Sequence, residues 1–137
     1  MKRIFVSTVL LILACQMAPG QNVSTTSKTT SKILLEQVLS KDDLNNNMVR
    51  METVEFPPGY SSAKHIHPCP LFAYVLEGEL LSEFEGITKL YHAGDTFYEN
   101  ATGLHSVMRN DSNVQTAKIL VVYLMTPGME TYIPKER

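Results

Sequence analysis

The chain has 137 residues, with 12 lysines and arginines against 14 aspartates and glutamates, two cysteines, no tryptophan and 44% hydrophobic residues. That is the size and apolar content of one ordinary domain, too little for a nucleotide-binding fold plus a separate catalytic domain. A formal charge of −2 without any basic run argues against a nucleic-acid backbone as the main partner.

The first twenty residues read as an export segment. Lys2 and Arg3 give a positive start, and residues 4–14 form an apolar run broken only by Ser7 and Thr8. Such a run is too short to span a bilayer and matches the core of a secretory signal. Two processing sites compete. Ala18-Pro19-Gly20 places small residues for a cut before Gln21, whereas Ile12-Leu13-Ala14-Cys15 resembles a lipoprotein box that would leave Cys15 as a lipid anchor. The expected location is therefore secreted or periplasmic, or membrane-anchored through Cys15, with no transmembrane span in the mature chain. Cleavage before Gln21 leaves ten basic against fourteen acidic side chains, a balance of −4, and Cys69 as the single thiol. One thiol forms no internal disulfide, so the fold must rest on its core and any metal.

Residues 21–32 are rich in serine and threonine and read as a flexible polar linker. The folded domain is expected over residues 33–137. Residues 33–39 fit a helical turn or an edge strand, and residues 42–47 a polar loop. From there short strands follow one another: 48–56, closed by Pro57-Pro58-Gly59; 71–76, stopped at Glu77-Gly78; 79–85; 87–92; 96–99; 105–109; and 118–125. No long helical stripe occurs. Eight or so short strands at this spacing indicate an all-β sandwich or barrel.

Two of the four histidines stand as His65-Ile66-His67. On an extended chain, residues two apart face the same side, so both imidazoles address one space and form half of a metal site. Alone, such a pair is more often a surface feature. Its surroundings are more specific. Gly59, then His65-x-His67, then Gly78 within Tyr74-Val75-Leu76-Glu77-Gly78-Glu79 resembles the first motif of the cupin superfamily. Gly94-Asp95, Glu99 and His105 near Asn110 resemble the second. The resemblance covers residues 48–125.

The resemblance implies a small antiparallel double-sheet (jelly-roll) barrel, often a homodimer, holding one divalent metal in its mouth. His65 and His67 match the first two ligands and His105 the last, with iron, manganese or zinc as the ion. Many cupins carry a glutamate four residues after the second histidine, where this chain has Leu71. Strand parity offers a replacement: if Phe97 points inward, so does Glu99, as fourth ligand, general base or a partner of the ligands. The competing reading is a glutamate at the barrel rim. Cys69 is the second candidate, although its flanking prolines make parity unreliable, and a small buried gap-filler is the plainer role.

The remaining polar residues read as structural. Glu77 and Glu79 flank a hairpin glycine, His92 ends an exposed strand, and Arg109 fits an external ion pair. Tyr74 and Tyr98 belong to an outer or dimer face, and Met48, Met51, Met108 and Met125 to core or interface. Leu71, Ala73 and Val75 are expected to line a narrow apolar cavity suited to a small ligand. Asn100-Ala101-Thr102 and Asn110-Asp111-Ser112 match the glycosylation pattern. Three functions fit: a metalloenzyme acting on a small organic molecule, of dioxygenase or isomerase type with Glu99 as its catalytic carboxylate; a non-catalytic binder of a small ligand or metal; or an accessory dimer braced by its metal.

Overall fold

A computed structural model describes residues 28–39 and 47–136. The expected export segment, most of the expected linker and residues 40–46, which include most of the expected polar loop, lie outside them. Among the described residues ten strands, all antiparallel to their neighbours, build two five-stranded sheets. The first sheet has the order β1 (Thr30–Val38), β2 (Met48–Phe56), β9 (Ala117–Met125), β4 (Leu71–Glu77), β7 (Thr96–Glu99). The second runs β10 (Ile133–Pro134), β3 (His65–Ile66), β8 (Leu104–Arg109), β5 (Glu79–Phe84), β6 (Ile87–His92). This is the all-β fold that the strand pattern predicts, in the jelly-roll form that the motif resemblance implies. No helix occurs among the described residues, so none there is long and apolar enough to cross a membrane.

Two boundaries differ from the sequence reading. Of the two readings of residues 33–39 the edge strand holds, but the strand runs Thr30–Val38, starting three residues inside the expected linker and ending one residue early. Serine, threonine and lysine cannot drive strand formation by burial, but here they pair with Thr53, Val54 and Glu55 of β2, and the partner strand supplies the order. The short β10 was not anticipated. Two residues of tail carry no periodicity, and their strand geometry comes from pairing with His65 and Ile66.

The core follows from the two-residue period. In β9, Ala117, Ile119, Val121, Tyr123 and Met125 are buried, and in β4 so are Leu71, Ala73 and Val75, while the residues between them face outward. Tyr74 and Tyr98 are exposed as expected, and Met48, Met108 and Met125 join the core. The β4–β5 connection is a single residue, Gly78, with φ of +74°. A Cβ there would stand 2.9 Å from the Ala117 Cα, so the turn needs glycine for both conformation and space.

Asn110 shows why one sequence pattern misleads. It is fully buried, its amide donates to the carbonyls of Phe56 (2.9 Å) and Gln115 (2.8 Å), and its Oδ1 accepts from the Ser112 amide (3.0 Å). A side chain so engaged is a brace for the loop after β8 and offers no nitrogen to a glycan.

Candidate metal centre

The strand register assembles the three histidines. His65 on β3 lies directly opposite His105 on β8, which puts both side chains on one face, and their rings stack at 4.8 Å. The strand ends at Ile66, yet His67 still turns to the same space, with its ring 5.0 Å from that of His65 and edge-on to it. One ligand atom from each of His65, His67 and His105 lies within 4.8 Å of the others, an arrangement that could hold a metal ion.

Each imidazole is oriented by a second contact. His65 Nδ1 donates to the Ala63 carbonyl (3.0 Å), and His67 Nδ1 donates to the Thr131 carbonyl through a short hydrogen bond. Both carbonyls fix the tautomer that leaves Nε2 bare. His105 Nε2 meets the hydroxyl of buried Ser82 at 3.0 Å, which leaves its Nδ1 as the remaining nitrogen. Burial lowers the pKa of His65 to about 4 and that of His67 below the usual imidazole range. Both rings are therefore neutral at neutral pH, the form that binds metals.

Glu99 is drawn inward as parity predicts, and is 2% exposed. Its Oε1 is 3.2 Å from His105 Nδ1, and its carboxylate reaches within 3.7 Å of His67 Nε2. The β4–β7 register sets Glu99 opposite Leu71, so the carboxylate stands beside the position where the motif resemblance would place one. Among the described residues, Glu99 Oε2 and His105 Nδ1 are buried without a hydrogen-bond partner. Buried polar atoms left this way are costly, and a cation held here would relieve both. The donor set of nitrogens and one oxygen suits zinc, iron or manganese.

Beside the histidines a cavity of about 230 Å³ opens between the sheets, lined by His65, His67, His105, Glu52, Tyr123 and Tyr132 among others. Leu71 lines it, but Ala73 and Val75 do not; they lie in the closed core, so the expected apolar tube is shorter and more polar than β4 alone implies. Glu99 is also outside the lining and faces the histidines from the core side. Cys69 is buried, and burial raises its thiol pKa, which fits a packed thiol better than a ligand. Arg109 pairs with Asp111 at 3.0 Å and His92 is exposed beside Glu79 and Asp95, both outside the cavity.

Four residues of the site were not anticipated: Glu52, Ser82, Tyr123 and Tyr132. Glu52 was findable, because it shares the parity of Met48 and Phe56, which are buried on the same strand. Its carboxylate accepts the Tyr123 hydroxyl, and burial followed by this carboxylate pushes the tyrosine pKa upward. Tyr132 stacks on His65 at 4.5 Å from an irregular tail segment that no periodicity marks.

A small double-sheet barrel with three histidines converging beside an inner cavity defines a class of metal-site scaffold. Residues 52–123 match the family model described as "Cupin domain", and the chain belongs to that family. No curated protein matches the sequence. Solved structures share the fold at low identity. An RmlC-like cupin from Shewanella frigidimarina is 18% identical, with 73% of this chain and 78% of that one aligned at a TM-score of 0.57. The polyketide cyclase RemF from Streptomyces resistomycificus is 22% identical, with 79% and 73% aligned at 0.56. An oxalate oxidase in complex with the substrate analogue glycolate is 24% identical, with 80% of this chain but 58% of that one aligned at 0.58.

Proposed function

We propose that this chain is an exported cupin metalloenzyme that binds one divalent ion through His65, His67 and His105 and acts on a small organic molecule. The observation that carries the proposal is the convergence of three imidazoles, two buried and one partly buried, beside a cavity, with the Glu99 carboxylate next to them and its Oε2 without a hydrogen-bond partner. Glu99 completes the donor set in place of the carboxylate absent at Leu71. Its position behind the histidines, away from the cavity, favours this role over that of a general base.

When bound to His65, His67 and His105, the ion would supply a Lewis acid beside the cavity, as dioxygenase- or isomerase-type chemistry requires. The chain does the rest. Ala63 and Thr131 carbonyls aim the Nε2 atoms of His65 and His67, Ser82 steadies His105, and Tyr132 covers the His65 ring and narrows access. Glu52, which holds the Tyr123 hydroxyl, faces the cavity as a hydrogen-bond acceptor. Several structural neighbours are enzymes by their names, among them the oxalate oxidase and the polyketide cyclase, which supports catalysis over mere storage.

A second reading, a non-catalytic binder of a small ligand, is favoured by one observation: among the described residues, Glu52 is the only carboxylate that lines the cavity, and it is engaged with Tyr123. Oxygen uptake and product formation with a panel of small dicarbonyls, phenols and thiols on the metal-loaded protein distinguish the two. Turnover of any member supports the enzyme; tight binding without turnover supports the binder. We also place the mature chain outside the cytoplasm, secreted, periplasmic or lipid-anchored through Cys15, on the strength of residues 1–20. A homodimer is supported by the exposed aromatic face of the first sheet, where Phe72 and Tyr98 are 48% and 55% exposed with rings 5.2 Å apart.

A further inference from the structure

A serine occupies an inward position of β5 where the strand pattern favours an apolar side chain. Leu80 and Ser82 face the core from that strand, both buried, and β5 pairs with β8, which carries His105. A buried hydroxyl needs a partner, and here it is His105 Nε2 at 3.0 Å. The other two imidazoles are held by their opposite nitrogens: His65 Nδ1 donates to the Ala63 carbonyl and His67 Nδ1 to that of Thr131. A neutral imidazole has one N–H and one bare nitrogen, and a metal takes the bare one. His65 and His67 are thereby left with Nε2 for an ion, and His105 with Nδ1.

We propose that Ser82 gives the centre a mixed coordination: its hydroxyl accepts the Nε2–H of His105, which presents Nδ1 to the ion, while His65 and His67 present Nε2. The inference rests on the reading of these histidines as a metal centre and adds which atom each supplies. The surroundings of His105 Nδ1 agree. It lies 3.2 Å from Glu99 Oε1 yet makes no hydrogen bond, and it is buried. An N–H there would be stranded, whereas a bare nitrogen facing a cation is satisfied. The carboxylate is spaced to suit, with Oε1 at that distance and Oε2 3.7 Å from His67 Nε2. Donors about 2.1 Å from one tetrahedral ion stand about 3.4 Å apart, close to both separations. Ligation through His105 Nε2 would instead set the ion against the Ser82 hydroxyl and turn an Nδ1–H toward a carboxylate with which it makes no hydrogen bond. Ser82 is a positioning residue, acting on the ion through the ring it holds.

The test uses the purified chain with isotope-labelled histidines, loaded with one equivalent of zinc. Long-range proton–nitrogen correlation spectra separate metal-bound from protonated ring nitrogens. His65 and His67 should show zinc on Nε2 and a proton on Nδ1, and His105 the reverse. Ser82→Ala should lower zinc affinity about tenfold in competition with a chelator, with the patterns of His65 and His67 unchanged. Zinc on His105 Nε2 in the parent, or parental zinc affinity in Ser82→Ala, overturns the proposal and leaves the metal centre standing. The parent spectrum decides even where the variant does not fold. A parent that takes up no zinc, iron or manganese overturns the metal centre and this assignment together, so the two failures are distinguishable.

Discussion

At the scale of single residues, the site is a set of groups each held by one neighbour. His105 has its Nε2 against Ser82 and its Nδ1 toward Glu99, so it links both sheets' contributions. Replacing it with alanine removes one of three imidazoles, and metal affinity should fall at least a hundredfold in a competition titration with a chelator. Glu99→Gln keeps shape and removes charge; affinity should drop by about ten- to a hundredfold while the fold persists. A Glu99→Gln protein with unaltered affinity would exclude this carboxylate from the donor set. Asn110 is the structural counterpart. Asn110→Ala leaves the Phe56 and Gln115 carbonyls and the Ser112 amide without their side-chain partner, and should cost about 2–4 kcal/mol in a denaturant melt with no direct effect on metal binding.

At the scale of elements, the register of paired strands decides which residues meet. His65 faces His105 and Glu99 faces Leu71 only because β3–β8 and β4–β7 pair as they do; a one-residue slip would turn each side chain to the opposite face. The tail closes the arrangement: β10 pairs with β3, and Thr131 just before it bonds His67. Truncation after Gly128 should therefore loosen His67 and lower metal affinity about tenfold or more, while the circular dichroism of the barrel remains. The bounds of β2, β6 and β7 were legible to the residue and that of β4 to within one, while strand parity offered the inward turn of Glu99 as one of two readings. Edge pairing hid the start of β1, and contact with β3 alone orders β10. Glu52 was legible in principle on the buried face of β2, but Tyr132 was not, since nothing local in the tail encodes its stack on His65.

At the scale of the molecule, the buried histidines tie stability to pH. His65 binds a proton more readily unfolded, near its ordinary 6.5, than folded, at about 4. The metal-free protein should thus be at full stability above pH 6.5 and lose about 2–3 kcal/mol as pH falls to 4, with His67 acting in the same direction. Bound metal should steepen this loss, because protons compete with it for the same nitrogens. The exposed aromatic face of the first sheet predicts self-association, so Phe72→Glu should halve the sedimenting mass without altering the melting temperature by much. Most directly, the central claim is tested by elemental analysis of the chain purified without chelators, beside its His105→Ala variant. The account predicts close to one iron, manganese or zinc per chain in the parent and a small fraction of that in the variant. A parent without stoichiometric metal that also fails to take up any of the three on titration, or a variant that retains the parent's content, would contradict it.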